Sequence, residues 1–248
     1  MVNEKTYKER YSKRLTSGVL GYPQRKRIKE LTQICKGFPN RMTLDIGCND
    51  LFFDKDIVPL QKTLIGCDLG WEDSLQRAKV NIKQYKWNNV DILQSIGEFL
   101  PLKDQTFELI LSFETLEHVH DERQVINEIN RVSKNNSHLV LAVPIEFGLV
   151  LLFKEFFRGL VAHKLYKGSW SQSVREARYS VKELFYAVCY RKTDKVVRIP
   201  HTHKGYDYRE TLDLLNAHWR VIYKINTPFN FLPDQLSYGC ILVLKKMI

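Results

Sequence analysis

Two apolar strands that each run out onto an aspartate constrain this chain more than anything else in it. Thr43-Leu44-Asp45-Ile46-Gly47-Cys48-Asn49-Asp50 reads as a buried strand entering a tight turn, and Leu64-Ile65-Gly66-Cys67-Asp68 as a second strand with an acid at its end. Two such strand ends about twenty residues apart are how an open α/β sheet builds a nucleoside site. The first turn brings backbone close to the ligand, and the second carboxylate accepts hydrogen bonds from ribose hydroxyls. An aspartate after an apolar run is also a common helix cap or turn residue, so the pair needs support from elsewhere in the chain.

The rest of the chain supplies an alternating pattern. Strands are expected at 42–46, 62–67, within 89–94, at 107–112 and at 138–143, the last stopped by Pro144. Helical spacing occurs within 4–36, where Pro23 is expected to separate two short helices. A further helix is expected over 121–133, with Asp121 as its N-cap. Strands alternating with helices imply a parallel sheet covered on both faces. Beyond residue 200, 208–217 reads as a helix, and 219–225 and 239–245 as strands.

One segment carries a resemblance to a known family. Phe107-Glu108-Leu109-Ile110-Leu111-Ser112-Phe113-Glu114-Thr115-Leu116-Glu117-His118-Val119 is followed by Glu128-Ile129-Asn130-Arg131-Val132-Ser133-Lys134-Asn135-Asn136-Ser137 and then by Leu139-Val140-Leu141-Ala142-Val143-Pro144. This run resembles the class I S-adenosylmethionine-dependent methyltransferases with a type 11 domain, in the small-molecule, quinone-biosynthesis-like branch. The resemblance spans 43–144 closely and 201–246 more loosely. It implies a Rossmann-like α/β fold: a seven-stranded, mostly parallel sheet with an antiparallel last strand, helices on both faces and a helical cap insertion. The chain then divides into an N-terminal helical segment (1–41), the cofactor-binding half (42–144), a cap (145–200), and a C-terminal helix with edge strands (201–248).

The same resemblance implies S-adenosyl-L-methionine as cofactor and a set of residues to hold it. Asp45, Gly47, Cys48 and Asn49 would lie at its amino-acid end, with Phe113 near the methionine part. Asp68 would take the ribose, Leu69 the adenine face, and Ile96-Gly97 would flank the base. Methyl transfer from a sulfonium is an in-line displacement with an activated leaving group, so alignment matters most and a base is needed only for an unactivated acceptor. His118 and His203 are the candidates for contacting the acceptor or taking its proton. The turn departs from the family's D-x-G-x-G-x-G at Asn49 and Leu51, where Leu51 is expected to set a bulky side chain against the cofactor. Ile96 stands where relatives carry a carboxylate that reads the adenine amino group.

Charge and cysteines narrow the partners. The net charge is +10, and it is uneven: residues 1–30 hold nine Lys/Arg against three Asp/Glu, and residues 145–205 hold twelve against five. An anionic partner or a pair of solvated helix faces would each account for this. Residues 149–166 are amphipathic at helical period, with Lys154, Glu155, Arg158, Gly159 and His163 on one side and aliphatic and aromatic residues on most of the rest. Such a helix packs as a lid or lies in a membrane interface. A further helix is expected over 171–190. The five cysteines form no CxxC pair and read as reduced thiols; His201-x-His203 has no carboxylate at ligand spacing, so no metal is expected.

The leading expectation is a cytoplasmic methyltransferase acting on a small or lipid-linked acceptor and capped by residues 145–200, with peripheral contact at the inner membrane surface as the second use of 149–166 beside a lid. A catalytically inactive binding protein on the same fold is the alternative that Asn49, Leu51 and Ile96 motivate. A nucleic-acid methyltransferase is a third reading. It is disfavoured because the chain lacks the Asn/Asp-Pro-Pro-Tyr motif and any separate RNA-binding module.

Overall fold

A computed structural model describes residues 21–156, 178–199 and 202–247. Its centre is one seven-stranded sheet in the order β3-β2-β1-β4-β5-β7-β6. The strands are β1 (Met42–Ile46), β2 (Thr63–Asp68), β3 (Val90–Gln94), β4 (Phe107–Phe113), β5 (Ser133–Pro144), β6 (Trp219–Thr227) and β7 (Gly239–Lys246). β1 pairs in parallel with β2 and β4, β2 with β3, and β4 with β5. β7 runs antiparallel to both of its neighbours, so it is the strand that opposes the others.

Central strands must be apolar on both faces because helices cover both. Residues 139–144 of β5 are all buried, as are six of the seven residues of β4. Their side chains divide between two cores. Leu44, Ile110, Leu139 and Leu141 pack with Val125 and Ile129 of one helix on one face, while Leu109, Leu111, Val140 and Ala142 join Leu31 and Cys35 of another on the opposite face.

The helices are α1 (Tyr22–Cys35), α2 (Ser74–Tyr85) and α3 (Glu122–Val132), then one over 149–156 (α4), α5 (Val181–Phe185) and α6 (Tyr208–Leu215). Asp121 caps α3, its carboxylate accepting from Gln124 N–H at 3.0 Å. Pro23 does not separate two helices but sits in the first turn of α1, where its missing N–H costs nothing. β5 starts at Ser133, five residues earlier than its apolar run. Asn136 takes a φ of +61° there, the conformation the asparagine pair tolerates.

Of the expected amphipathic helix over 149–166, residues 149–156 are helical and 157–166 lie outside the described residues. The polar side differs from expectation. Lys154 points inward, donating to Glu146 Oε1 at 2.7 Å and to the Ile145 carbonyl at 2.8 Å. Leu149, Leu152, Phe153 and Phe156 face out around a groove of about 610 Å³, and both phenylalanines are 63% exposed. A buried carboxylate draws the lysine in, which turns the helix over. The expected helix over 171–190 is described from 178 onward: α5 is extended by a π turn, Tyr186–Tyr190, after a Ser180/Glu183 capping box.

Candidate active site

The turn after β1 keeps positive φ at all three family glycine positions: Gly47 +81°, Asn49 +49° and Leu51 +62°. Only the first needs glycine for space. A Cβ at Gly47 would stand 2.1 Å from Thr115 Oγ1, so this turn is pressed against the segment following β4. Leu51 does not project toward a ligand as expected. It is fully buried, and with Cys48 it fills the space that Gly66 leaves open: a Cβ there would lie 2.7 Å from Cys48 Sγ and 3.4 Å from Leu51 Cδ2. Left-handed backbone costs a leucine about 1–2 kcal/mol, and burying its side chain contributes about 1.5–3 kcal/mol, enough to offset it.

Burial also separates the expected cofactor residues into two groups. The side chains of Asp45, Cys48 and Phe113 are in the core, 1%, 4% and 7% exposed, so any contact from Cys48 is through its backbone. Asp45 faces Asp54, and burial together with the Asp54 charge holds its carboxyl well above the usual range. Burial raises Asp54 to about 7, against a hydrogen bond from Asp45 that favours its charged form. Both carboxyls beneath the turn therefore hold their protons more readily than exposed carboxylates do.

Asp68, Leu69, Ile96 and Asn49 form the second, more open group. The Asp68 carboxylate accepts from Asn49 N–H at 3.0 Å, Gly70 N–H at 2.8 Å and Ser74 Oγ at 2.7 Å. A carboxylate has about four acceptor positions, so one lone pair is left for an incoming hydroxyl. Gln94 Nε2 donates to the Leu69 carbonyl at 3.0 Å and ties the ends of β2 and β3 together. Leu69 and Ile96 are 51% and 42% exposed on that rim, as apolar walls for a flat base would be. A Cβ added at Gly97 would meet Ile46 and Val125 at 3.4 Å. A carboxylate with one acceptor position open, an apolar rim and a glycine turn are a set that fits S-adenosylmethionine.

At the ends of β4 and β5 the structure gathers charges that the sequence kept apart. Arg27 of α1 is 1% exposed and pairs with Glu114 at 2.7 Å. Its guanidinium and the Lys154 ammonium both approach the Tyr238 ring, at 5.4 Å and 4.5 Å. His118 and His203 come together with ring centroids 5.0 Å apart. His203 is held by its loop: Lys204 N–H donates to Thr202 Oγ1, and Gly205 N–H to Tyr179 Oη. Between the histidines lies Glu117, fully buried, with neither oxygen hydrogen-bonded. Burial and the neighbouring charge of Glu114 push its carboxyl up.

Glu114, Glu117, Glu146, Arg27 and Lys154 were assigned no role from the sequence. Two acids and a histidine directly after an apolar strand, Glu114-Thr115-Leu116-Glu117-His118, were the available signal. Arg27 and Glu146 had none, since only the fold brings α1 and the residues after β5 to this place.

Parallel strands whose ends carry a glycine turn and an open carboxylate are the layout of a nucleoside-binding α/β sheet. Residues 44–141 match the family model described as a methyltransferase domain, and the seven-stranded sheet is that of the Rossmann-like methyltransferase fold. No curated protein sequence matches.

Solved structures share the fold. A Pyrococcus horikoshii protein aligns with a TM-score of 0.62 at 14% identity, covering 98% of this chain and 99% of that one. The N-methyltransferase NodS of Bradyrhizobium japonicum, in complex with S-adenosyl-L-homocysteine, aligns with a TM-score of 0.58 at 14% identity, covering 99% and 93%. A SAM-dependent methyltransferase from Aquifex aeolicus gives 0.57 at 14% identity, covering 98% and 97%.

Proposed function

We propose that the chain methylates an amphiphilic acceptor, a small or lipid-linked molecule with an apolar extension and an anionic group, presented from the side of residues 145–205. The observation that carries this is the inverted α4, which buries Lys154 and turns Leu149, Leu152, Phe153 and Phe156 outward. Residues 145–205 hold twelve Lys/Arg against five Asp/Glu; Lys154, Arg198 and Lys204 pair with acids, so the charge that an anionic group would meet comes from the others. The same surface is the candidate for contact with a membrane, and no described helix is long and apolar enough to cross one.

Within that reading, Asp68 holds the ribose, Leu69 and Ile96 flank the base, and the Gly47–Asn49 backbone meets the methionine part. Asp45 lies buried near the end of β1, beneath that turn. The sulfonium supplies an activated methyl group. What the chain adds is alignment, with His118 and His203 placed to touch the acceptor across the turn from Thr115.

The test is methyl transfer from radiolabelled S-adenosylmethionine to the lipid and aqueous fractions of a cell extract. Label is expected in an amphiphilic product, and Phe153→Glu/Phe156→Glu should cut transfer about tenfold or more while cofactor affinity by calorimetry stays unchanged. Undiminished transfer by that variant, or label only in a water-soluble product, would overturn the acceptor assignment.

A further inference from the structure

We infer that Glu117, His118 and His203 form a binding site for a divalent first-row transition cation. One ligand atom from each residue lies within 4.8 Å of the other two. Glu117 Oε1 is 3.9 Å from His118 Nε2 and 3.7 Å from His203 Nε2. A tetrahedral ion with bonds of about 2.0–2.2 Å sets its ligand atoms about 3.4 Å apart, so small side-chain rotations close the site.

The second observation is the state of Glu117. A fully buried carboxylate with neither oxygen hydrogen-bonded is an expensive arrangement in a folded protein, and buried charges are normally paired or bound to a metal. Arg27, the buried cation of this region, is engaged 2.7 Å from Glu114, and Lys154 is engaged 2.7 Å from Glu146. Arg27 attracts Glu117 from farther off; within 4 Å of its carboxylate the described basic side chains are the two imidazoles, and a cation seated among the three gives it a close partner.

His203 has a carboxylate on its other side: Nδ1 lies 3.7 Å from Glu146 Oε1, a short shift from a hydrogen bond that would leave Nε2 for the ion. Two nitrogens and one oxygen suit zinc, manganese or iron(II) better than magnesium or calcium, which prefer all-oxygen sets. Three protein ligands leave a position for water or an acceptor oxygen. Only this last consequence rests on the acceptor reading above. The expectation that His201-x-His203 lacked a carboxylate partner is corrected here, because Glu117 comes from the segment after β4.

The metal-stripped protein is titrated with Co²⁺, whose visible spectrum reports imidazole ligation, and with Mn²⁺. One equivalent of Co²⁺ is expected to bind, weakening about tenfold or more in Glu117→Gln and in His203→Ala and unchanged in His218→Ala. Without metal, Glu117→Gln should melt no lower than the parent, since it removes an unpartnered buried acid; this separates ligand loss from misfolding. No Co²⁺ spectrum at millimolar metal, or one unchanged in the Glu117→Gln/His203→Ala double variant, would overturn the site. S-adenosylmethionine calorimetry on the same samples keeps the two readings apart: cofactor binding without cobalt binding removes only the metal.

Discussion

At the ends of β1 and β2 the chain gives the Asp68 carboxylate partners from close by; at the ends of β4 and β5 it buries two carboxylates, covers most of a third, and brings their partners from far along the sequence. Asp68 is oriented by Gly70, Ser74 and Asn49, all on the loops beside it. Glu114, Glu117 and Glu146 are met by Arg27 from α1, His203 from beyond α5, and Lys154 from α4. The first arrangement forms as soon as two adjacent strands pair. The second exists only when α1, residues 145–156, residues 202–207 and the sheet have all docked, so it doubles as the joint between them. A site made this way can change its acceptor by changing segments that leave the cofactor end alone.

The largest effect should come from breaking that joint. Arg27→Met removes the partner of a largely buried carboxylate and is expected to cost about 3–5 kcal/mol by denaturant unfolding. Adding Glu114→Gln should recover much of the loss, because the pair as a whole is far less valuable than one member is costly to strand. No recovery in the double variant would mean that Arg27 acts mainly through its packing on Tyr238.

At the cofactor end the informative residue is Leu51. Its left-handed φ favours glycine, but its side chain fills the core under Gly66. Leu51→Gly should therefore lose about 2–5 kcal/mol of stability, reduced by the relief of backbone strain, with cofactor affinity little changed. A stabilised Leu51→Gly protein would show that the strain outweighs the packing. This would reverse the account of the turn.

A smaller and slower-varying effect belongs to the Asp45–Asp54 pair. Burial raises the Asp54 carboxyl from 3.8 to about 7, so between those values the folded state holds a proton that the unfolded chain releases. Stability from this group is present at low pH and is lost as pH rises through the folded value. The expected slope from this group is up to about 1.4 kcal/mol per pH unit between pH 4 and 7, the raised Asp45 adds in the same direction, and the slope should be shallower in Asp54→Asn. Denaturant unfolding across that range reads the slope directly.

The same division governs what could be read from the sequence. Apolar runs and their acidic ends placed β1, β2 and β4 within a residue or so, because buried parallel strands are written in consecutive apolar residues. Asp68 was legible for the same reason: it follows its strand directly. Leu51 was misread because the glycine pattern speaks only of φ, and the direction of a side chain in a turn depends on what lies beneath it. The side that Lys154 takes was not legible, because helical periodicity gives the faces of a helix and not the buried Glu146 that one of them meets. Glu117 and His203 were each in view, and only the docking of residues 202–207 shows that they meet.

The central claim is that an intact S-adenosylmethionine site stands on the β1 and β2 ends despite Asn49, Leu51 and Ile96. Isothermal calorimetry of the full chain with S-adenosylmethionine, beside Asp68→Ala, tests it most directly. The wild type should bind one equivalent, and Asp68→Ala should lose about 1–3 kcal/mol, the worth of hydrogen bonds to a charged acceptor, while melting within a few degrees of the wild type. Absence of heat from a folded wild-type protein at millimolar cofactor, or equal affinity in Asp68→Ala, would contradict it.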